Sequence, residues 1–270
     1  MRALIASPLG FLIGLSLGAL GGGGSILAVP ALVYVAGQSA RDATTTSLMV
    51  VGMASLVGMD THRRAGRVDV ARGVVFGLVG IGGSLAGSAL NRRLDPDVLL
   101  LGFSGLVVIA AWRMLTACPT CTRAGEERAL AELEATPSRR TVAGLDAAAL
   151  GKVLVAGTVV GFLTGLFGVG GGFVIIPALT LALGMAMPEA VGTSLLIIAI
   201  NCAVALGTRF ATVSVDWAVA LPFTGAAIAG VVTGGRVANR LDAKKSLRWF
   251  AALLLGVAVY TAIRAGLALR

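Results

Sequence analysis

The chain has 270 residues, 57% of them hydrophobic and 13% charged, with a mean hydropathy of +0.92 and a formal net charge of +9. That balance leaves too little polar surface to cover a soluble globule of this size and defines an integral membrane protein. The surplus of 22 Lys and Arg over 13 Asp and Glu does not point to nucleic acid, because no aromatic residues interleave with the basic ones for base stacking. Basic loops instead orient a chain against the bilayer.

Met1 to Leu9 carries a single Arg and runs straight into an apolar segment that the second half repeats, so it reads as structure and not as a cleaved signal peptide. The first apolar block, about residues 3 to 37, is interrupted by Gly21-Gly22-Gly23-Gly24 and then by Pro30. Each glycine costs a helix roughly 1 kcal/mol relative to Ala, so the block predicts two half-helices around a glycine break. Spans follow at about 43 to 60, 70 to 90 and 97 to 116, each long enough to cross about 30 Å of hydrocarbon. Cys118 to Asp146 is charged, contains Pro119 and Pro137, and reads as an aqueous tether with a short surface helix expected at Glu126 to Glu134. A second broken block follows at about 150 to 183, with Gly168-Val169-Gly170-Gly171-Gly172 and Pro177, then spans near 189 to 207, 217 to 236 and 247 to 268. The alternating pattern of a β-barrel is absent from the sequence. The fold class is all-α, a polytopic helical membrane protein.

The second series of elements is a copy of the first. A shift of 147 places Gly14, Gly18, Gly21, Gly23, Gly24 and Pro30 on Gly161, Gly165, Gly168, Gly170, Gly171 and Pro177, and Thr46-Ser47 on Thr193-Ser194. Without a gap it also places Asp69 on Asp216, Gly83 and Gly87 on Gly230 and Gly234, and Arg93-Leu94-Asp95 on Arg240-Leu241-Asp242. Three units are expected: an N-terminal repeat at 1–117, a hydrophilic connection at 118–148 and a C-terminal repeat at 149–270. Carriers commonly place a substrate site where such repeats meet.

Repeat orientation depends on whether each broken block crosses the membrane or turns back. Crossing makes the repeats parallel; a re-entrant hairpin makes them inverted. Counting all basic residues barely separates the two. The local cluster Arg236, Arg240, Lys244, Lys245 and Arg248 falls on the same side as Arg63, Arg64 and Arg67 only for hairpins, which favours inversion.

The blocks Gly14 to Leu32 and Gly161 to Leu179, each a glycine break followed by Pro-Ala-Leu and then by a helix bearing Thr44 to Ser47 or Thr193-Ser194, resemble the TauE/SafE sulfite-exporter family over nearly the whole chain. The resemblance implies a multi-pass carrier of the cytoplasmic (inner) membrane for a small sulfur oxyanion or sulfonate, with paired hairpins meeting mid-membrane.

The chemistry of the residues agrees with an anion carrier. Helix N-termini present unpaired N–H groups, and glycine admits an oxyanion to the backbone. The candidate substrate-binding residues are Gly22, Gly23, Gly24 and Ser25 with Thr45, Thr46 and Ser47 in the first half, and Gly170, Gly171 and Gly172 with Thr193 and Ser194 in the second. Gly80, Gly83 and Gly87 read as helix-packing residues. Asn201, polar in mid-span, suits either an interhelical hydrogen bond or a substrate contact. His62, the single histidine, lies at a span end and reads as a solvated loop residue, with a gating or proton-coupling role as the alternative.

Two other functions stay open. Cys118-Pro119-Thr120-Cys121 has dithiol spacing and Cys202 lies in a span, which permits a membrane thiol-disulfide relay, although Cys202 has Ser55 as its repeat mate. A passive anion channel is the other. No cofactor, metal site or catalytic constellation is expected, and the oligomeric state is not readable.

Overall fold

A computed structural model describes residues 2–91, 93–94, 96–117, 147–167, 172–207 and 217–238, with scattered residues between 248 and 259. The first half comprises α1 (Arg2–Leu20), a 3₁₀ turn (Gly21–Gly24), α2 (Ser25–Tyr34), α3 (Ala40–Arg64), α4 (Val70–Asn91) and α5 (Pro96–Ala117). The second comprises α6 (Ala147–Phe167), α7 (Gly172–Pro177) with a π turn (Ala178–Ala182), α8 (Met187–Gly207) and α9 (Trp217–Ala238). The tether with Cys118, Cys121 and Glu126 to Glu134, the glycines 168 to 171, and most of the span expected at 247 to 268 lie outside the described residues.

Bilayer, and not water, is the solvent this surface suits. Leu85, Ile109, Trp112, Val155 and Leu221 are each at least 60% exposed, an apolar exterior distributed over α4, α5, α6 and α9. Val70–Leu90, Met187–Gly207 and Trp217–Val237 are, among the described residues, long and apolar enough to cross a membrane. Charged residues gather toward helix ends. Ser39 Oγ accepts from Asp42 N–H at 3.2 Å and donates to the Asp42 carboxylate at 2.7 Å, capping α3, whose last turn ends in His62, Arg63 and Arg64. Asp69 caps α4 by accepting from the Arg72 N–H at 2.9 Å.

The glycine break reverses the chain. A Cβ built on Gly24 would lie 2.6 Å from the Ile13 carbonyl oxygen, although eleven residues of unbroken helix would separate the two by about 16 Å. Gly21 makes the turn at φ 68°, a left-handed conformation in which a side chain is strained. Pro30, expected to interrupt the block as well, instead lies within α2, so the glycines alone break the first helix. Pro177, its mate, ends α7 and leads into the π turn.

The duplicated sequence makes duplicated structure. Gln38 N–H donates to the Leu32 carbonyl at 3.1 Å and Met185 N–H to the Leu179 carbonyl at 3.0 Å; Gly37 and Gly184 carry φ values of 70° and 67°. All three pairs of positions are related by 147. Helix contacts follow the same rule across the halves. Cβ atoms on Gly14 and Gly18 would strike the carbonyls of Ala227 and Val231, and Cβ atoms on Gly161 and Gly165 those of Gly80 and Ser84. Thus α1 packs on α9 as α6 packs on α4, and residue numbers rise together along each pair, so each is parallel. Gly83 and Gly87 serve this packing, where a Cβ would meet the carbonyls of Thr158 and Phe162.

Between these pairs, α3 and α8 cross in opposite directions. Gly52 faces Cys202, Gly58 faces Leu195 and Gly192 faces His62, so one series of numbers rises as the other falls. A Cβ on Gly52 would lie 3.0 Å from Cys202 Cβ, close to the 3.5–4.5 Å of a disulfide. Gly52→Cys, with Cys118 and Cys121 replaced by Ser, is therefore expected to crosslink to Cys202 under mild oxidation, read as the absence of alkylatable thiols once the oxidised protein is denatured in SDS. Two thiols that both remain reactive would contradict this crossing.

Candidate functional site

The two glycine breaks meet. The 3₁₀ turn packs against α7 and the first turns of α8. A Cβ on Gly22 would overlap the Gly172 carbonyl, while one on Gly172 would lie 2.5 Å from Ser25 Oγ and 2.6 Å from the Gly22 carbonyl oxygen. Gly21 approaches α8, where a Cβ would sit 2.7 Å from Ser194 Oγ. Gly21, Gly22, Ser25, Gly172 and Ser194 thus form one cluster at the point where the halves touch. The 3₁₀ turn has no side-chain cap at Leu20 and runs straight into α2, with Gly24 helical and the Ser25 N–H donating to the Gly22 carbonyl, so the uncapped helix start lies at the first residues of the turn.

The hydroxyls of the cluster are committed within the chain. Ser25 Oγ donates to the Gly22 carbonyl at 2.7 Å, Ser194 Oγ donates to the Val191 carbonyl at 2.8 Å, and Thr193 Oγ1 accepts from the Asp69 N–H at 3.0 Å. All three are buried. Thr45, Thr46 and Ser47 are buried on α3. The repeat relates Ser47 to Ser194, so its counterpart contact falls on Gly168, outside the described residues together with the candidates Gly170 and Gly171. Gly23 and Gly24 lie in the 3₁₀ turn, Gly24 packing on Ile13 and Leu17. Asn201 is half-buried in the middle of α8, beside the buried Cys202.

The sequence reading misjudged His62. It is 2% exposed and not solvated, with Nε2 3.1 Å from the Gly18 carbonyl oxygen in the last turn of α1. Its surroundings are small. Gly192 of α8 comes close enough that a Cβ would lie 3.0 Å from His62 Cβ, and one on Gly235 of α9 would lie 3.8 Å from Nε2. A second polar group joins the α3–α4 turn to α8. Arg72 Nε pairs with Asp69 Oδ2 at 3.2 Å, and Asp69 holds Thr193. One signal in the repeat could have found His62: Gly235 stands where the first half has Ser88, leaving room for a ring.

A protein whose described elements are all helices, with an apolar exterior, a broken helix whose 3₁₀ turn packs on the start of α7, and packing repeated across the halves is a polytopic membrane protein built like a carrier. The chain belongs to the TauE/SafE family, matching the family described as "Sulfite exporter TauE/SafE" over residues 6–261. Among relatives, a "Probable membrane transporter protein" of Xylella fastidiosa is 34% identical over 254 residues, covering 93% of this chain and 91% of that protein. Two Bacillus subtilis proteins described as probable membrane transporters, YdhB and YunE, are each 26% identical, covering 85% and 89% of this chain and 87% and 86% of their own lengths. No solved structure matches the chain. It is a membrane transporter of a non-enzymatic family.

Proposed function

We propose that this transporter exports a small sulfur-containing anion, such as sulfite or an organosulfonate, across the cytoplasmic membrane by alternating access between two inverted repeats, 1–117 and 149–270. The observation that carries the reading is the tip-to-tip contact of the two glycine breaks at Gly22 and Gly172. Support for inversion comes from the antiparallel crossing of α3 and α8. Repeat mates that run in opposite directions are related by an axis lying in the membrane plane. The chain reversal at Gly21–Gly24 likewise belongs to the hairpin arrangement and not to a crossing block.

Anion binding at this junction follows from dipoles. An uncapped helix start presents N–H groups and a partial positive charge, and Gly22, Gly23 and Gly24 leave it bare of Cβ atoms. The hydroxyls of Thr45, Thr46, Ser47 and Thr193 are neutral, so they orient an anion without holding it too tightly for release, and those of Ser25 and Ser194 join them by exchanging their carbonyl partners for the anion. From the second half the proposed contacts are Gly172, with Gly170 and Gly171 just before it in sequence, and Asn201, half-buried on α8. The family's description as a sulfite exporter supports the sulfur oxyanion as cargo.

The test is a thermal-shift screen of detergent-purified protein against sulfite, sulfate, thiosulfate, taurine, sulfoacetate, acetate and phosphate. Ligand binding to the folded state raises its stability by about 2.7 kcal/mol at a hundredfold excess over Kd. Selective stabilisation by sulfite or a sulfonate is expected. A flat response to all seven would remove the sulfur-anion assignment.

A further inference from the structure

We propose that His62 is the proton-binding residue of this carrier, supplying the positive charge that accompanies a monovalent anion through the glycine break. The inference rests on the anion-carrier reading above and adds its coupling partner. A carbonyl only accepts hydrogen bonds, so the 3.1 Å contact with Gly18 fixes the proton on Nε2 and leaves Nδ1 as a lone pair. That Nδ1 is buried and, among the described residues, has no hydrogen-bond partner. That nitrogen is the one ring position open to a proton, and its enclosure without an acceptor keeps it neutral until an anion's charge offsets the cost of burying a cation.

Its position suits the task. Gly18 lies three residues before Gly21, among the last carbonyls of α1, which have no partner within the helix. A helix C-terminus carries partial negative charge and favours an imidazolium, while the helix start across the same break favours an anion. The break is therefore bipolar, with a proton held at one pole and the anion at the other. The two halves differ here. In the second half the equivalent carbonyl, Gly165, is approached by the neutral Ser88 hydroxyl at 3.5 Å, whereas in the first half the mate of Ser88 is Gly235 and the imidazole takes its place. Proton coupling is thereby confined to one repeat.

Charged groups around the ring are few. Among the described residues, Arg67, Asp69 and Arg72 follow it in the α3–α4 turn and α4, Glu189 stands three residues before Gly192 on α8, and Arg236 follows Gly235 on α9. On its own helix are Asp60, Arg63 and Arg64, all exposed, and from Ser7 to Leu20 α1 contributes no charge. The step balances simply. Nδ1 takes a proton from a hydronium ion of the aqueous phase, whose O–H bond breaks as the N–H bond forms and which leaves as neutral water, and the added positive charge offsets one negative charge on the anion, so the loaded carrier gains no net charge.

Because the chain contains a single histidine, isotope-labelled histidine reports this ring alone. The ring signal is followed by NMR from about pH 5 to 9 with and without sulfite or methanesulfonate, the latter a sulfonate with no proton to titrate in that range. The ring is expected to titrate, with its midpoint rising by about one pH unit when methanesulfonate or sulfite is bound. By linkage this matches about tenfold tighter anion binding to the protonated protein, read from thermal shifts at low and high pH. His62→Gln keeps a donor for the Gly18 carbonyl but cannot take a proton. It should retain the ligand-free melting temperature while losing the pH dependence of methanesulfonate binding. A ring that stays neutral throughout, or a midpoint unmoved by an anion that does stabilise the protein, would overturn the role of His62 while leaving the carrier standing. If neither anion stabilises the wild type at any pH, the anion-carrier reading falls and takes this inference with it.

Discussion

Gly22→Leu is expected to abolish transport and to lower stability by about 3 kcal/mol, near the upper end of overpacking costs. The atom that a Cβ would meet is the Gly172 carbonyl oxygen, and behind it lie the Gly172 carbonyl carbon and Cα. These are backbone atoms, so no rotamer change relieves the overlap; one tip must move. Even Gly22→Ala should separate the two breaks and reduce transport strongly. Gly82→Ala is the matched control, because nothing lies within 4 Å of the new Cβ and Ala favours helix by about 1 kcal/mol. Uptake or efflux in proteoliposomes together with melting temperature checks both. Normal transport by Gly22→Leu would mean that the tips need not touch during the cycle.

Gly14→Leu and Gly161→Leu should destabilise the protein by the same amount, about 1 to 3 kcal/mol each and equal to within about 0.5 kcal/mol. Gly14 lies against the backbone of Ala227 and Gly161 against that of Gly80, the same contact made once from each half. Close approach of small residues supplies the association between membrane helices, because lipid gives apolar side chains no incentive to leave it. A side chain at either glycine therefore pries apart a whole helix pair. Equal losses measured in one detergent would confirm that the two pairs are energetically equivalent. A loss at only one position would show that one pair, α1 with α9 or α4 with α6, carries most of the inter-repeat association.

The first break, the spans among the described residues and the packing glycines were legible because each is a local demand. Four successive glycines cannot sustain a helix, and α1 ends at Leu20 for that reason. Pro30 was misread for an equally local reason: the penalty for proline in a helix is real, but α2 accommodates it where packing against α1 and α3 holds the segment helical. His62 was misread because its burial depends on Gly18, Gly192 and Gly235, residues from three other helices that no window around position 62 contains.

The sequence by itself determined the solvent, the order of the described elements, the 147-residue repeat of the sequence and the family, because hydropathy, glycine content and a fixed offset of 147 are properties of order along the chain. Only the tertiary structure decided which surfaces meet. It set Gly22 on Gly172, ran α3 against α8 in opposite directions, committed Thr193 to the Asp69 N–H, and enclosed the imidazole of His62. Those outcomes depend on distances of a few ångströms between residues tens to more than a hundred positions apart, and such distances are fixed by how whole helices pack, not by any residue's own preference.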